Sequence, residues 1–537
     1  MIWEKRGGVA YSTVTEAILT ASGLSEEELL HPEPNSYITL DGLQQAAEVI
    51  LRARDEGRPA VIIGDYDVDG ITSTAILSML LSFLSIEHTT IIPKRFTEGY
   101  GVSTPHVKDV SNALIITVDN GISAGSILTD ARKERGNYVV VVDHHLPDAD
   151  VPEVDAIIDP HYYSSGGFTH YCGAGLAYQL AMYMISEDVA PETLCNDLLI
   201  LAAVGTVADS MPLIGDNRLI VSKALAVANN RFAPMSAGLR CLLDACGDPG
   251  TLRANTLSYK LSPMLNAPGR LYDSGGSSVL KALLCKDQEL GNSYVTKMVA
   301  INQDRKRMVE AYLSLACDSA QGQSSPIVVY LPGLLEGLLG VVAGRLIGTF
   351  NSTVVVLSDS RDGKAIKGSV RAVPGDNAKE LLDSVRNLLT VYGGHSGAAG
   401  MTLERANLDA FTDALKEMRS SHSVCSNLLY DVELSQETVF RSMRALNRFE
   451  PLGHGVPNPV CVIRNVEVQD VAYMGQDKNT VKLVCDGFSI LGFGKAELYR
   501  KHNEPRTLDV IGTLSENHFR GRTTIQVVAE DFHPCIF

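Results

Sequence analysis

The sequence predicts an α/β protein with a parallel-sheet domain, a long connecting helix, a smaller α/β domain and a C-terminal OB-like β-barrel. Three observations support this prediction. Short apolar runs alternate with helical stretches between about residues 40 and 209, apolar residues recur at helical spacing between 288 and 316, and short β-rich runs follow one another after residue 460. Short buried strands separated by helices are typical of a parallel sheet that is covered on both faces.

The first domain begins with an amphipathic helix and continues with strands rich in β-branched residues. Helices are expected at 43–54 and 72–84, and strands at 60–64, 89–93, 113–118 and 138–142. From Leu176 to Leu284 the pattern is mostly helical, with loops expected at 210–216 and 262–269.

The remaining elements follow in the same way. One long helix is expected within 288–316, because apolar residues stand at Tyr294, Met298, Ile301, Met308 and Tyr312. Residues 321–325, QGQSS, are typical of a linker, and a second α/β unit runs from 326 to about 420, with a parallel-type strand at 353–357. Short strands at 461–466, 480–485, 488–493, 507–512 and 523–528 fit a small barrel such as an OB-fold.

The formal net charge of −17 argues against a protein coated in basic surface for nonspecific nucleic-acid binding. It is compatible with a nucleic-acid enzyme, because a locally basic channel can lie inside an acidic shell. Ten cysteines are spread irregularly and no CxxC occurs, so neither a zinc site nor a disulfide framework is indicated. Reduced thiols in a cytosol are the simplest interpretation.

Membrane insertion and export are not predicted. The N-terminus lacks the apolar run of a signal peptide. The longest apolar candidate, 75–86, contains three serines and is about 12 residues long, which is too short to span a bilayer. We therefore expect a cytoplasmic protein without a membrane partner.

Three predicted strands end in residues that can hold metal ions. These residues are, in chain order, Asp65, Asp67, Asp69, Asp119, Asp143, His144 and His145. Parallel sheets bind their ligands beyond the carboxyl ends of the strands. The sequence therefore predicts that these carboxylates and imidazoles meet at one edge of the sheet.

Closely spaced carboxylates repel one another unless a cation neutralises them. Oxygen-rich sites with one or two imidazoles suit manganese or magnesium. The alternatives are an acidic turn or a calcium loop, since the pattern D-x-D-x-D-G runs from Asp65 to Gly70. The twelfth position of such a loop would be Ile76 rather than Glu, and a strand precedes it, so a calcium loop is disfavoured. Adjacent histidines are often surface residues, so the prediction depends on the joint arrangement.

The order of these motifs resembles the DHH phosphoesterase superfamily. Its four metal-binding motifs are matched by GDYDVDGITSTA at 64–75, VDNGIS at 118–123, VDHH at 142–145 and GTVADSMPL at 205–213. Further matches are RFTEGYG at 95–101, CGAGLAYQL at 172–180, SPMLNAPGRL at 262–271, SVRA at 369–372, GGHSGAAG at 393–400 and PLGHGVPNP at 451–459. GGHSGAAG is the signature of the DHH-associated domain. The resemblance extends from about residue 40 to the C-terminus.

The resemblance implies two divalent metal ions, manganese or magnesium, bridged by Asp119. One ion would be held by Asp65, Asp67 and Asp119. The other would be held by Asp69, Asp119, His144 and Asp209. On its own Asp209 would be interpreted as a helix cap, and only the resemblance adds it. His145 would act near the scissile phosphate or leaving group, and Asp143 would orient an imidazole.

Phosphate and DNA contacts are expected from a glycine-rich loop and from arginines. In the loop, Gly393 and Gly394 would let backbone N–H groups approach a phosphate, and His395 would add a donor. The alternative for this loop is a tight turn between a helix and a strand. The other candidates implied by the resemblance are Arg95, Tyr100, Arg270, Arg345, Ser369 and Arg371.

The chain departs from the superfamily's single-strand exonucleases at three places. Those proteins usually have Cys at the position of Asn120, Asn-Pro at Asp159-Pro160, and His at Glu336. The first two departures are expected beside the metals. Glu336 puts one polar contact of the second α/β unit in doubt.

Within this superfamily, the tail from Pro451 favours a 5′→3′ exonuclease specific for single-stranded DNA, acting in DNA repair and recombination. The alternatives are a nanoRNase or cyclic-dinucleotide phosphodiesterase, which generally ends after the DHH-associated domain, and a non-catalytic replication scaffold, which the intact metal motifs disfavour. The expected protein is a monomer, with a single-strand-binding protein and a helicase as candidate partners. The expected domains are an N-terminal extension 1–40, a DHH domain 41–287, a helix and linker 288–325, a DHH-associated domain 326–425, a connector 426–459 and an OB-fold 460–537.

Overall fold

The computed structural model describes residues 2–8, 11–33, 40–163, 167–185, 189–248, 250–418, 427–475, 477–519 and 522–535. Along these residues a parallel sheet, a long helix, a mixed sheet and a C-terminal β-rich unit follow one another, as predicted. In the described ranges, no helix has both the length and the apolar character that crossing a membrane requires.

The N-terminal segment packs against the C-terminal unit. It comprises β1 (Trp3–Lys5), α1 (Val14–Ser22) and α2 (Glu26–Leu30). β1 pairs in parallel with a strand at Leu428–Tyr430. The hydroxyl oxygens of Thr13 and Ser25 cap the two helices by accepting backbone N–H groups of their first turns. The apolar faces of α1 and α2 lie in the same core as the C-terminal strands.

The first domain contains the predicted parallel sheet. In chain order its elements are α3 (Leu43–Asp55), β2 (Ala60–Ile63), α4 (Val68–Phe83), β3 (His88–Ile91), α5 (Thr104–Val107), β4 (Leu114–Val118), α6 (Gly125–Lys133), β5 (Tyr138–Val142) and β6 (Ala156–Ile158). The strands lie in the order β3-β2-β4-β5-β6, and every pair is parallel. All residues of β4 are buried, as expected for a central strand with helices on both faces.

A helical layer completes the first domain. Its members are α7 (Gly173–Met184), α8 (Glu192–Ala208), α9 (Gly215–Asn229), α10 (Ala237–Asp244), α11 (Ala254–Thr256), α12 (Ser262–Leu271) and α13 (Gly275–Leu283). The predicted loop at 262–269 is wrong, because α12 covers it. A helical turn at Leu257–Leu261 runs directly into α12, and Met264 and Leu265 are buried, so apolar packing outweighs the cost of Pro263 and Pro268 within the helix.

The connecting helix and the second domain follow. They comprise α14 (Gln288–Ala320), β7 (Ile327–Tyr330), α15 (Leu339–Phe350), β8 (Val354–Asp359), β9 (Ala365–Arg371), α16 (Ala378–Ser384), β10 (Val391–Gly394), β11 (Ala398–Glu404) and α17 (Leu408–Glu417). The sheet order is β10-β11-β9-β8-β7. β7 and β8 are parallel, but the other pairs are antiparallel, so the sheet is mixed. The glycine-rich loop therefore joins two antiparallel strands and is not a helix–strand turn.

The C-terminal unit contains all five predicted strands and more. Its elements are β12 (Leu428–Tyr430), β13 (Val432–Leu434), α18 (Val439–Arg448), β14 (Val460–Glu467), β15 (Asp470–Met474), β16 (Thr480–Val484), β17 (Phe488–Gly492), α19 (Ala496–Lys501), β18 (Thr507–Phe519) and β19 (Arg522–Pro534). β15 alternates exposed and half-buried residues and buries none of them, so it lacks the buried face that marks the others.

One buried arginine joins the first domain to the N-terminal segment and to the connector. Arg218, on α9, is 1% exposed. Its guanidinium donates to the carbonyl oxygens of Leu29 at 2.6 Å, Phe449 at 2.8 Å and Pro451 at 2.9 Å. Burial lowers the pKa of Arg218 to about 10, so the group remains charged near neutral pH. This arginine therefore fixes the N-terminal segment and the second half of the connector against α9.

Replacing Arg218 by Ala should destabilise the whole chain. Buried carbonyl groups would lose their donor, and each unpaired buried group costs roughly 1–3 kcal/mol. We expect calorimetry of the full chain to show a Tm lower by roughly 5 °C or more. The exposed Arg441 of α18 provides a matched control, and Arg441→Ala should leave the Tm unchanged. Equal Tm values for the two variants would contradict this role of Arg218.

Candidate metal centre and phosphate-binding surface

The turn after β2 places three aspartates around the start of α4. Asp65 follows the strand after Gly64, Asp67 is the N-cap of α4, and Asp69 lies in its first turn. One carboxylate oxygen of Asp67 accepts the N–H of Gly70 at 3.2 Å. The helix therefore begins four residues before the predicted start at 72, and its first turn fixes the spacing of these carboxylates.

A second helix N-terminus holds the carboxylate of Asp69. Its two oxygens accept the backbone N–H groups of Gly173 at 2.7 Å and Ala174 at 2.9 Å, in the first turn of α7. The positive end of a helix stabilises such a negative charge. A side chain at residue 173 would not fit, because a Cβ there would lie 2.7 Å from the Cβ of Asp119.

Asp119 follows β4 and lies between the other acidic residues. It is buried and has a φ of +60°, a left-handed conformation that Asp tolerates better than most residues. Its backbone N–H donates to the carbonyl oxygen of Val142 at 2.9 Å, which ties it to the end of β5. Nε2 of His144 lies 3.1 Å from Oδ1 of Asp119.

His144 also faces the last predicted ligand. Its Nε2 lies 3.8 Å from Oδ2 of Asp69 and 3.7 Å from Oδ2 of Asp209, the C-cap residue of α8. Each of the following sets has possible ligand atoms within 4.8 Å of one another: Asp65, Asp67 and Asp119; Asp69, His144 and Asp209; Asp119, His144 and His145. The fold thus brings together all six predicted metal ligands.

The carboxylates destabilise one another in this buried position. Burial, followed by the charge of Asp67, raises the pKa of Asp65 to about 7. Burial, followed by the charge of Asp69, raises the pKa of Asp209 to about 8 and that of Asp119 well above its ordinary value. Ionised carboxylates that share a buried site require a counter-charge. This oxygen-rich set with one imidazole suits magnesium or manganese.

His145 and Asp143 form a separate pair beside these ligands. Nδ1 of His145 lies 2.8 Å from Oδ1 of Asp143, while Tyr100 Oη lies 3.2 Å from the same nitrogen. Burial alone would lower the pKa of His145, but the hydrogen bond and charge of Asp143 raise it to about 9. Burial alone would raise the pKa of Asp143, but the bond with His145 lowers it. The imidazole is therefore protonated at neutral pH and partly exposed.

Two of the sequence departures lie at the same edge of the sheet. The side-chain amide of Asn120 donates to the carbonyl oxygens of Ile63 at 3.1 Å and Val118 at 2.8 Å, so it crosslinks the ends of β2 and β4. Asp159 follows β6 in a buried position, and burial raises its pKa to about 7. The third departure, Glu336, accepts the backbone N–H of Arg361 at 2.8 Å.

Arginines extend from the acidic cluster toward the second domain. The guanidinium of Arg95 stacks 3.8 Å above the ring of Tyr66. Arg270, at the end of α12, donates to the carbonyl oxygen of Gly337 at 3.2 Å. Burial, followed by the charges of Arg95 and Arg305, lowers the pKa of Arg270 to about 10. Cations crowded in this way are suited to bind an anion such as phosphate.

The second-domain candidates lie at the end of β9. The guanidinium of Arg371 donates to the hydroxyl oxygen of Ser369 at 3.1 Å. Ser369 pairs with Gly400 in β11, and Ala372 donates to the carbonyl oxygen of Gly397 at 3.0 Å, so the glycine-rich loop is adjacent. In that loop Gly393, Gly394 and His395 are exposed.

Sequence reasoning missed Arg305 of α14. The charge of Arg345, which is exposed on α15, contributes to a lowered pKa of Arg305 after the larger effect of burial, so the two guanidinium groups are near each other. A signal was present, because Arg305 stands between Ile301 and Met308 where the helical spacing of apolar residues leaves a gap. A charged residue in an apolar stripe calls for a functional explanation.

Three family profiles match successive parts of the chain. Residues 59–206 match the DHH family, N-terminal domain, residues 324–420 match the DHHA1 domain, and residues 430–531 match the RecJ OB domain. The OB match agrees with the predicted barrel.

Curated relatives and solved structures give the same result. The single-stranded-DNA-specific exonuclease RecJ of Dickeya dadantii is 31% identical over 534 residues, covering 93% of this chain and 91% of that protein. The Bacillus subtilis protein of the same name is also 31% identical, but the chain spans only 63% of its length. The crystal structure of Thermus thermophilus RecJ in complex with Mn²⁺ matches with a TM-score of 0.81 and 26% identity, covering 100% of this chain and 80% of that one.

The metal-free protein should lose stability progressively as the pH rises above the ordinary carboxyl pKa of 3.8, and the loss should be complete above about 8. The raised pKa values of Asp65, about 7, and Asp209, about 8, mean that folding favours their protonated forms, and this stabilisation disappears above those values. The lowered pKa of His144 acts in the opposite direction, but only below 6.5. Adding Mn²⁺ should restore stability at pH 8, by about 2.7 kcal/mol at 100 times its Kd.

A single substitution distinguishes repulsion within the acidic cluster from the effect of the net charge of the whole chain. Asp65→Asn should raise the Tm of the metal-free protein at pH 8 and reduce the gain on adding Mn²⁺. The exposed Asp413 of α17 offers a control of equal charge change, and Asp413→Asn should alter neither value. If Asp65→Asn lowered the Tm in EDTA, the repulsion argument would be wrong.

Proposed function

Because the chain belongs to the RecJ family of single-stranded-DNA-specific exonucleases, we propose that it hydrolyses single-stranded DNA from the 5′ end with divalent metal ions. In the cell it would act in DNA repair and recombination, on strands supplied by a helicase or a single-strand-binding protein. Single-stranded DNA is proposed as the substrate because the relatives are named for it. The observation that carries the proposal is the buried cluster of carboxylates and imidazoles, with a row of arginines leading away from it.

Two divalent ions are proposed, manganese or magnesium, sharing Asp119. Asp65 and Asp67 complete the ligands of one ion. Asp69, His144 and Asp209 complete those of the other. Bound there, the ions would lower the pKa of a ligated water and stabilise the entering and leaving oxygens of an in-line displacement.

The protein's own residues would position the scissile phosphate and its proton. With a pKa of about 9, the imidazolium of His145 can donate to a phosphate oxygen or to the leaving oxygen. Asp143 would keep this ring charged and fixed through Nδ1. The hydroxyl of Tyr100, which donates to the carbonyl oxygen of Asp119 at 2.8 Å, would limit the movement of both the ring and the bridging ligand.

The polarity would come from a phosphate pocket at a fixed distance from the metals. Ser369 and Arg371 would bind a terminal 5′-phosphate, for which the planar guanidinium offers two parallel donors. Arg95 and Arg270 would contact the intervening backbone, with Arg345 and the loop of Gly393, Gly394 and His395 at the outer side. The OB domain would hold the rest of the strand by stacking and backbone contacts.

Oligonucleotides labelled at either end test the direction of digestion. With Mn²⁺, single-stranded DNA should release labelled mononucleotide at once from the 5′ end and late from the 3′ end, while duplex DNA should resist. Asp119→Asn should lower kcat by about three orders of magnitude, because the shared ligand contributes several kcal/mol of transition-state stabilisation. Circular dichroism would verify that the variant is folded.

The same assay separates the alternatives. Asp413→Asn should digest DNA at the normal rate. Early release of the 3′ label would refute the polarity. Hydrolysis of dinucleotides without digestion of long strands would replace the proposal with a nanoRNase or cyclic-dinucleotide phosphodiesterase.

Arg371→Ala should affect mainly substrates that carry a 5′-phosphate. A hydrogen bond to a charged group contributes roughly 1.5–3 kcal/mol, so KM for 5′-phosphorylated DNA should rise about 10- to 100-fold. KM for DNA ending in a 5′-hydroxyl should change much less. Arg386→Ala, at an exposed arginine of the same domain, serves as the control. An equal rise of KM for both substrates would exclude a terminal-phosphate contact.

A further inference from the structure

The proposed ligand Asp209 lies at the end of a helix, where the backbone makes fewer hydrogen bonds than in the helix interior. It is the C-cap of α8. The N–H of Met211 donates to the carbonyl oxygen of Thr206 at 3.0 Å, and that of Ser210 donates to Val207 at 3.2 Å. These two bonds form a Schellman motif, which usually places glycine at the left-handed position. Helix ends without further support fray readily.

Here the left-handed position is filled by Ser210, with a φ of +58°. A residue with a side chain is strained in this conformation, which persists only where its surroundings hold it. The residue that follows Asp209 is therefore strained. An external contact is needed to keep this last turn in one conformation.

That contact comes from the connector that leads into the OB domain. Nδ1 of His454 donates to the carbonyl oxygen of Ser210 at 2.7 Å. In return, the N–H of Leu213 donates to the carbonyl oxygen of His454, also at 2.7 Å. One residue of the connector thus holds both ends of the loop that follows Asp209.

The connector is shaped for this close approach. Gly453 and Val456 exchange backbone hydrogen bonds of 2.9 and 3.1 Å, so His454 lies at the tip of a tight turn. A Cβ at Gly453 would lie 2.8 Å from Cδ1 of Leu213, so a larger residue would require the Leu213 side chain or the turn to shift. The residues just before the turn are fixed to α9 by Arg218.

We propose that His454 is a positioning residue for the metal centre: through Ser210 it holds the Asp209 carboxylate in place, so the connector that leads into the OB domain contributes to metal binding. The inference rests on the proposed function, because it takes Asp209 as a metal ligand. Loss of such an outer contact typically costs 10- to 100-fold in metal affinity or activity.

The test compares three substitutions at position 454 in the full-length chain. His454→Ala removes the donor. His454→Asn keeps a donor where Nδ1 stands, and His454→Gln moves it outward to the position of Nε2. Mn²⁺ binding is measured by electron paramagnetic resonance without DNA, and kcat and KM are measured on single-stranded DNA. Pro457→Ala, at an exposed position in the same connector, is the control.

We expect His454→Ala and His454→Gln to weaken Mn²⁺ binding about 10-fold and to lower kcat without changing KM for DNA. His454→Asn should recover most of both losses, and Pro457→Ala should match the unmodified chain. Unchanged Mn²⁺ affinity in His454→Ala overturns the inference, whether KM is unchanged or raised, and a raised KM would identify a DNA contact instead. If the unmodified chain does not digest single-stranded DNA with Mn²⁺, the proposed function itself fails.

Discussion

The carboxylates buried beyond the first sheet repel one another, and much of the surrounding structure compensates for that repulsion. Adjacent parallel strands deliver Asp65 and Asp119 to one edge, where solvent cannot screen them. The N–H groups of α7 stabilise Asp69, and His144 lies among the oxygens. Even so, the pKa values of Asp65, about 7, and Asp209, about 8, remain unfavourable for ionisation. The site therefore requires a cation. Without one, the packing of the helical layer must offset the unfavourable free energy of these buried carboxylates.

The sequence predicted those parts of the fold that depend on local patterns. The parallel sheet, the helix α14 and the strands of the tail follow from the periodicity of apolar residues, which burial enforces. α12 was missed because Pro263 and Pro268 are read as breakers, whereas burial of its apolar face decides the outcome. The attachment of β1 and α1 to the C-terminal unit joins residues more than 400 positions apart, and no local pattern contains that information.

The residues of the candidate site also divide into those that local sequence patterns identify and those that they do not. Asp65, Asp119 and His144 could be selected because each follows a strand of the same sheet. Asp209 ends a helix in another layer, and only the family resemblance drew attention to it. Arg305 was overlooked although it interrupts an apolar stripe. Each missed contribution comes from an element brought to the site by tertiary packing.

The acidic cluster and the residues proposed to bind a terminal 5′-phosphate are carried by different domains. The carboxylates belong to the first sheet and its helical layer, whereas Ser369 and Arg371 belong to the mixed sheet of the second domain. If Arg371 lay among the acids, its charge would neutralise them and compete with a metal ion. If Arg371 were attached by a loose linker, the distance between a bound 5′-phosphate and the reacting phosphate would vary. Rigid contacts are therefore required, and Arg270 bound to Gly337 is one of them. In the same way, the contacts of Arg218 and His454 fix the connector and the N-terminal segment to the helical layer that carries Asp209.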